Sequence, residues 1–160
     1  DPHVTEALRE EDYRDAIALL ERHYNLVLLD TGTGVLESAT RGVLDAADQL
    51  VIVTVPSLDG ARAASLTLDW LDQNGYGCLA AGSVAVLNGI RPGRTAVDHD
   101  RIEEHFRERC RAVIRVPWDP HLDTGAHVDP EHLQPDTRDA YLALAAALAI
   151  AFPDPSPRRC

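Results

Sequence analysis

The 160-residue sequence predicts an α/β fold, a mostly parallel sheet with helices on both faces. Three observations predict it. Four short apolar runs each stop at a polar residue or proline, as buried parallel strands do. Amphipathic stretches with three- and four-residue spacing fill the gaps between them. Strands alternating with helices in this order imply right-handed crossovers onto neighbouring parallel strands.

Taken in order, Glu11 to His23 places Tyr13, Ile17 and Leu20 on one helical stripe. Leu26-Val27-Leu28-Leu29 is an uninterrupted apolar run closed by Asp30, read as the first strand. Val35, Ala39, Val43 and Ala46 give the next helix, and Leu50 to Val55, stopped by Pro56, the second strand. Ala61, Ala64, Leu68 and Leu71 share a helical face that Asp59 is expected to cap. Ser83 to Leu87, stopped by Asn88, is the third strand; Ile102 and Phe106 mark a helix. Ala112 to Val116, stopped by Pro117, is the fourth strand. A closing helix is expected from Asp136, its N-cap, to Ala151, with Tyr141, Leu144 and Leu148 inward. Residues 1–152 read as one domain portion, and the Pro-rich stretch 153–160 as a disordered tail.

Composition restricts the function. The net charge of −11 disfavours a broad grip on nucleic-acid phosphates or an anionic membrane surface. The longest apolar run, Ala140 to Phe152, has 13 residues, short of the roughly 20 a membrane span needs. Cys78, Cys110 and Cys160 lack metal-ligand spacing and read as free thiols of a cytoplasmic protein. All 15 basic side chains are arginine, so no lysine is available for a Schiff base or a phosphate-binding loop.

In parallel α/β sheets ligands sit beyond the carboxyl ends of the strands, which directs attention to Asp30, Pro56, Asn88 and Pro117. A carboxylate closing a buried strand is placed to reach a nucleotide-bound Mg²⁺ through water. Glycines just after it, Gly32 and Gly34 around Thr33, let backbone amides approach a terminal phosphate. His121, Asp123, His127, Asp129 and His132 crowd one segment with Asp119, but its Pro- and Gly-rich setting reads as a solvated loop rather than a metal site. Arg107, Arg109, Arg111 and Arg115 read as a solvated helix end among acidic neighbours, with a docking patch as the alternative.

Four segments, in order, resemble the C-terminal half of MinD/ParA-like P-loop ATPases of the deviant Walker class. Asn25 to Gly34 resembles that family's Walker B strand and switch II, and Ala47-Asp48 through Pro56-Ser57 its following strand. Val84 to Asn88 resembles the strand whose terminal Asn meets the adenine edge; Val116-Pro117-Trp118-Asp119 resembles the second adenine-side loop. Among such ATPases the chain most resembles the actinobacterial EspI-like members linked to type VII secretion.

The resemblance implies ATP and Mg²⁺ as cofactors of a full-length parent, with none bound to this chain alone. It implies Asp30 as a Mg²⁺-shell residue acting through water. Thr31, Gly32 and Gly34 would lie near the terminal phosphate, and Asn88, Pro117, Trp118 and Asp119 near adenine. The chain departs from the family in lacking the glycine-rich first turn, both family lysines and a switch I aspartate. A partial P-loop NTPase fold without the first βαβ unit follows, with no catalytic set complete in this chain.

The partners implied are the missing N-terminal half, a second copy across the nucleotide in the parent, and secretion or positioning machinery. Neither direct nucleic-acid binding nor membrane insertion is expected. The missing unit would leave one sheet edge uncovered, where self-association or a partner element is expected. The alternative is a nucleotide-independent scaffold in which the strand-end residues only pack turns.

Overall fold

The computed structural model describes residues 10–32, 38–93, 97–125 and 127–152. The chain divides into two compact units, Asp1–Asp48 and Gln49–Cys160. Gly34, Val35 and the tail 153–160 lie outside the described residues.

In the first unit α1 (Glu10–Glu21) packs against α2 (Ser38–Ala46). Ile17, Val43 and Leu44 are buried, and Arg14 pairs with Asp45 at 3.7 Å. Between the helices the structure corrects the sequence reading. Leu26–Leu29 pairs with no strand among the described residues, and Leu26, Leu28 and Leu29 are 59%, 81% and 40% exposed. An apolar run signals a demand for burial but does not supply the neighbour whose backbone completes a ladder. A helix pair offers no such backbone.

The second unit carries the sheet: β1 (Val51–Thr54), β2 (Val84–Ile90) and β3 (Ala112–Pro117), in that spatial order and all parallel. The α/β class with a parallel sheet is as the sequence predicts. Val84 to Leu87 on the central strand are 0–3% exposed, so both faces of β2 are covered. The register puts Arg115 beside Leu87, and its guanidinium meets Asp100 and Glu103 of α5 (His99–Arg107), which fixes α5 on that face. The helix α3 (Leu58–Gln73) packs on β1, and α7 (Pro135–Ile150) reaches both β3 and β2. A short α4 (Gly77–Ala81), which the sequence reading lacked, follows α3.

The helix ends differ from expectation in two places. Ser57, not Asp59, caps α3: its Oγ accepts from the Gly60 amide at 3.0 Å, and Asp59 falls in the first turn. The closing helix begins at Pro135 after Gln134, two positions before the expected start, since proline tolerates the first helical turn. Its inward stripe is also less buried than predicted: Thr137 is the buried residue of α7, Leu144 and Leu148 are half-buried, and Tyr141 is 38% exposed.

Gly60 shows how tightly α3 meets β1. A Cβ there would lie 2.5 Å from the Val55 carbonyl oxygen and 2.8 Å from Thr54 Oγ1. At the amino-terminal rim Arg111 clamps three elements. It donates to the Gly82 and Ala147 carbonyls at 3.1 and 2.7 Å and to Gln49 Oε1 at 3.0 Å, while Gln49 donates to Leu148 O.

Candidate functional site

The carboxyl ends of β2 and β3 gather four of the sequence-predicted residues. Asn88, exposed, stands opposite Val116, and a register shift between Asn88 and Ile90 brings Ile90 opposite Pro117. Gly89 makes that shift possible: its φ of 82° lies in the left-handed region that glycine adopts at little cost. Beyond the strands the Trp118 amide donates to the Ile90 carbonyl at 2.8 Å, holding the Trp118 loop against the end of β2.

Two contacts at this rim had no sequence signal. The Arg91 guanidinium lies 4.7 Å from the centre of the Trp118 ring, a cation–π stack. The Trp118 Nε1 donor is buried and has no hydrogen-bond partner among the described residues. Stacking of residues 27 positions apart depends on β2 and β3 being neighbours, and no local pattern encodes it.

Asp119 is 2% exposed. Its Oδ1 accepts from the His121 amide at 2.9 Å and its Oδ2 from the Gln134 amide at 2.8 Å. It thereby caps α6 (Pro120–Asp123) and ties the loop to the start of α7. Burial pushes its carboxyl up, but the Gln134 and His121 amides outweigh this, aided by the Thr137 hydroxyl and the His121 ring, and hold it below the usual carboxylate range. The buried Thr137 hydroxyl faces that carboxylate outside strict hydrogen-bond geometry. Both Asp119 oxygens are engaged by the fold, so its contribution to the rim is to position Pro117 and Trp118.

Asp30, Thr31 and Gly32 belong to the first unit and form a turn of their own. Asp30 Oδ1 accepts from the Gly32 amide at 3.0 Å, Gly32 has φ 60°, and all three are exposed. The buried strand expected to fix the Asp30 carboxylate is not formed among the described residues.

The remaining candidates resolve into structural roles. Arg109 bridges Asp69 and Asp72, at 2.7 and 3.2 Å, and Arg107 and Arg115 hold the nearly buried Glu103. Arg107, Arg109 and Arg115 are thus paired with acidic groups within the fold, and Arg111 with carbonyl and amide oxygens. Hydrogen bonding to Arg115 holds the Asp100 carboxyl below its usual range. Cys78 is disulfide-bonded, against the reading of three free thiols; Cys110 is free and its burial pushes the thiol up. Among the described residues no group of three His, Cys, Asp or Glu side chains is placed to hold a metal ion, and no helix is long and apolar enough to cross a membrane.

The residues can be tested against adenine and phosphate separately. An Asn amide can pair with an adenine edge, and Trp118 with Arg91 offers planar stacking surfaces, so the rim suits a base. A phosphate cradle needs a glycine-rich loop at a helix N-terminus and a cation, and the chain has no lysine to supply the latter.

No family model matches the chain, and no solved structure matches it. The curated proteins do: the chain is 38% identical over 148 residues to the ESX-1 secretion-associated protein EspI of Mycobacterium tuberculosis, in both strain CDC 1551 / Oshkosh and strain ATCC 25618 / H37Rv. The aligned region covers 91% of this chain and 22% of that relative, so the chain spans less than a quarter of the proteins it is similar to.

Proposed function

We propose that this chain is the C-terminal portion of a MinD/ParA-like, ATP-dependent switch serving a type VII secretion apparatus, and that alone it does not hydrolyse ATP. The observation that carries the secretion role is the 38% identity, across nearly the whole chain, to a protein described as ESX-1 secretion-associated. The nucleotide part rests on the ordered resemblance of four segments and on the C-terminal rim that brings Asn88, Pro117 and Trp118 together.

In this reading Asn88, Pro117 and the Trp118 loop would hold the adenine end of a nucleotide. Asp30 would help to hold Mg²⁺, through water, once Leu26–Leu29 has a strand partner. The bound nucleotide with its Mg²⁺ supplies the charge whose presence or loss sets the switch. Phosphate grip and catalysis come from elsewhere in the parent: one oxyanion donor can be worth about 3–4 kcal/mol, and this chain lacks the whole cradle.

A nucleotide-independent scaffold is the second reading. It is favoured by Asp30 serving its own turn and by both Asp119 oxygens being engaged within the fold.

Titration of ATP·Mg²⁺ into the full gene product containing residues 1–160 separates the two. The switch reading expects saturable binding weakened at least tenfold by Asn88→Ala and by Asp30→Ala. The scaffold reading expects no binding, or binding that neither substitution alters. Residues 1–160 alone are expected to release no phosphate above blank.

A further inference from the structure

Two imidazoles at the carboxyl rim of the second unit are wired in opposite senses through one aspartate. His121, on α6, accepts a hydrogen bond at Nε2 from the Asp129 amide, at 2.9 Å. Only a neutral imidazole has that lone pair, so this contact requires His121 unprotonated, with its hydrogen on Nδ1. The side chain of the same Asp129 faces His132: Nδ1 of His132 lies 3.0 Å from Asp129 Oδ2. The two rings stand 5.6 Å apart, centre to centre. Asp129 also caps the 3-10 turn Pro130–His132 by accepting from the Glu131 amide at 3.0 Å.

From this geometry we propose that the contact between α6 and the 129–132 turn is an acid-sensitive clasp, released when His121 takes up a proton. Protonation converts Nε2 from acceptor to donor. It then faces the Asp129 N–H with like polarity, and the Asp129 hydrogen bond is lost. A charged His121 also meets a charged His132 across 5.6 Å.

The surrounding groups act in both directions. The Asp119 carboxylate interacts with the His121 ring, and the Asp129 carboxylate faces His132. Asp123 lies on α6 and Glu131 in the 129–132 turn, adding negative charge to the same two elements. Arg138 of α7 donates to the Pro130 and Glu131 carbonyls and opposes a further positive charge. The Asp129 amide and the His132 ring are the groups that make proton uptake at His121 break the contact.

The clasp begins two residues after Trp118, and Asp119 binds the His121 amide, so its release loosens the segment that holds the Trp118 loop. The proposal is independent of whether a nucleotide binds there. It also makes use of His121 and His132 without any metal, in a segment whose histidine count alone suggested one.

The test is amide hydrogen exchange at Asp129, corrected for intrinsic rate, together with the His121 ring nitrogens by NMR, across about pH 8 to 5, where imidazoles titrate. His121 is expected as the Nδ1–H tautomer at the alkaline end. The Asp129 protection factor should fall tenfold or more along the same titration curve as His121. His121→Gln offers an amide oxygen as acceptor and cannot take the proton, so Asp129 should stay protected throughout. Unchanged protection in the wild type while His121 titrates would overturn the clasp, as would an undiminished acid step in His121→Gln.

Discussion

Leu26-Val27-Leu28-Leu29-Asp30 and Val84-Ala85-Val86-Leu87-Asn88 read almost alike, each an apolar run stopped by a small polar residue. Only the second is a strand. Val84 to Leu87 pair with β1 on one side and β3 on the other and are 0–3% exposed, whereas Leu28 is 81% exposed and Leu26–Leu29 joins no ladder among the described residues. The difference lies in what stands beside the run, not in the run. Asn88 is consequently held at a defined rim by its neighbours, while Asp30 is held only by its own turn.

That contrast is sharpest in core truncation. Leu87→Ala removes a side chain that is 0% exposed and should cost about 2–5 kcal/mol. Leu28→Ala, at an exposed site, should stay within about 0.5 kcal/mol. Urea unfolding of the two variants measures both. Equal costs would show that Leu28 is as buried as Leu87 and would erase the distinction.

The glycines give a smaller version of the same comparison. Gly60→Ala drives a Cβ to 2.5 Å from a backbone oxygen, which cannot rotate away, and should cost about 1–3 kcal/mol. Gly32→Ala meets nothing within 4 Å and bears only its left-handed backbone, about 1 kcal/mol at most in a turn free to relax. Thermal melts of the pair rank them, and the account requires Gly60→Ala to melt lower.

Capping gives the smallest effect. Ser57→Ala removes the α3 cap and should cost about 1 kcal/mol. Asp30→Ala removes an exposed turn bond and should cost under about 0.5 kcal/mol. Denaturant midpoints will separate them, and a costlier Asp30→Ala would mean that its carboxylate anchors more than its turn.

Much of the second unit was legible because its signals are local. Alternating strand and helix patterns placed β1, β2, β3, α3 and α5, though not the short α4, and Pro56 and Pro117 marked where two strands end. Other features depend on neighbours the chain's local pattern does not specify. The Asp59 reading failed because the helix starts two positions earlier, with Ser57 accepting from the Gly60 amide and Asp59 already in the first turn. The inward placement of Tyr141 failed because α7 from Tyr141 to Ile150 is apolar on every side, leaving periodicity nothing to select.

At the rim, Asn88, Pro117, Trp118 and Asp119 were found from strand ends and resemblance. The Arg91 stack and the His121–Asp129–His132 arrangement were not, since each joins residues with no periodic relation. The strand expected at Leu26–Leu29 was legible as a demand for burial only.

Amide hydrogen exchange across residues 26–30 and 84–88 of this chain tests the central contrast most directly. The account predicts slow exchange, near the global unfolding limit, for Val84 to Leu87, and exchange near intrinsic rates for Leu26 to Leu29. Comparable protection in both runs would contradict it, showing that Leu26–Leu29 already has a strand partner and that Asp30 stands at the end of a formed strand.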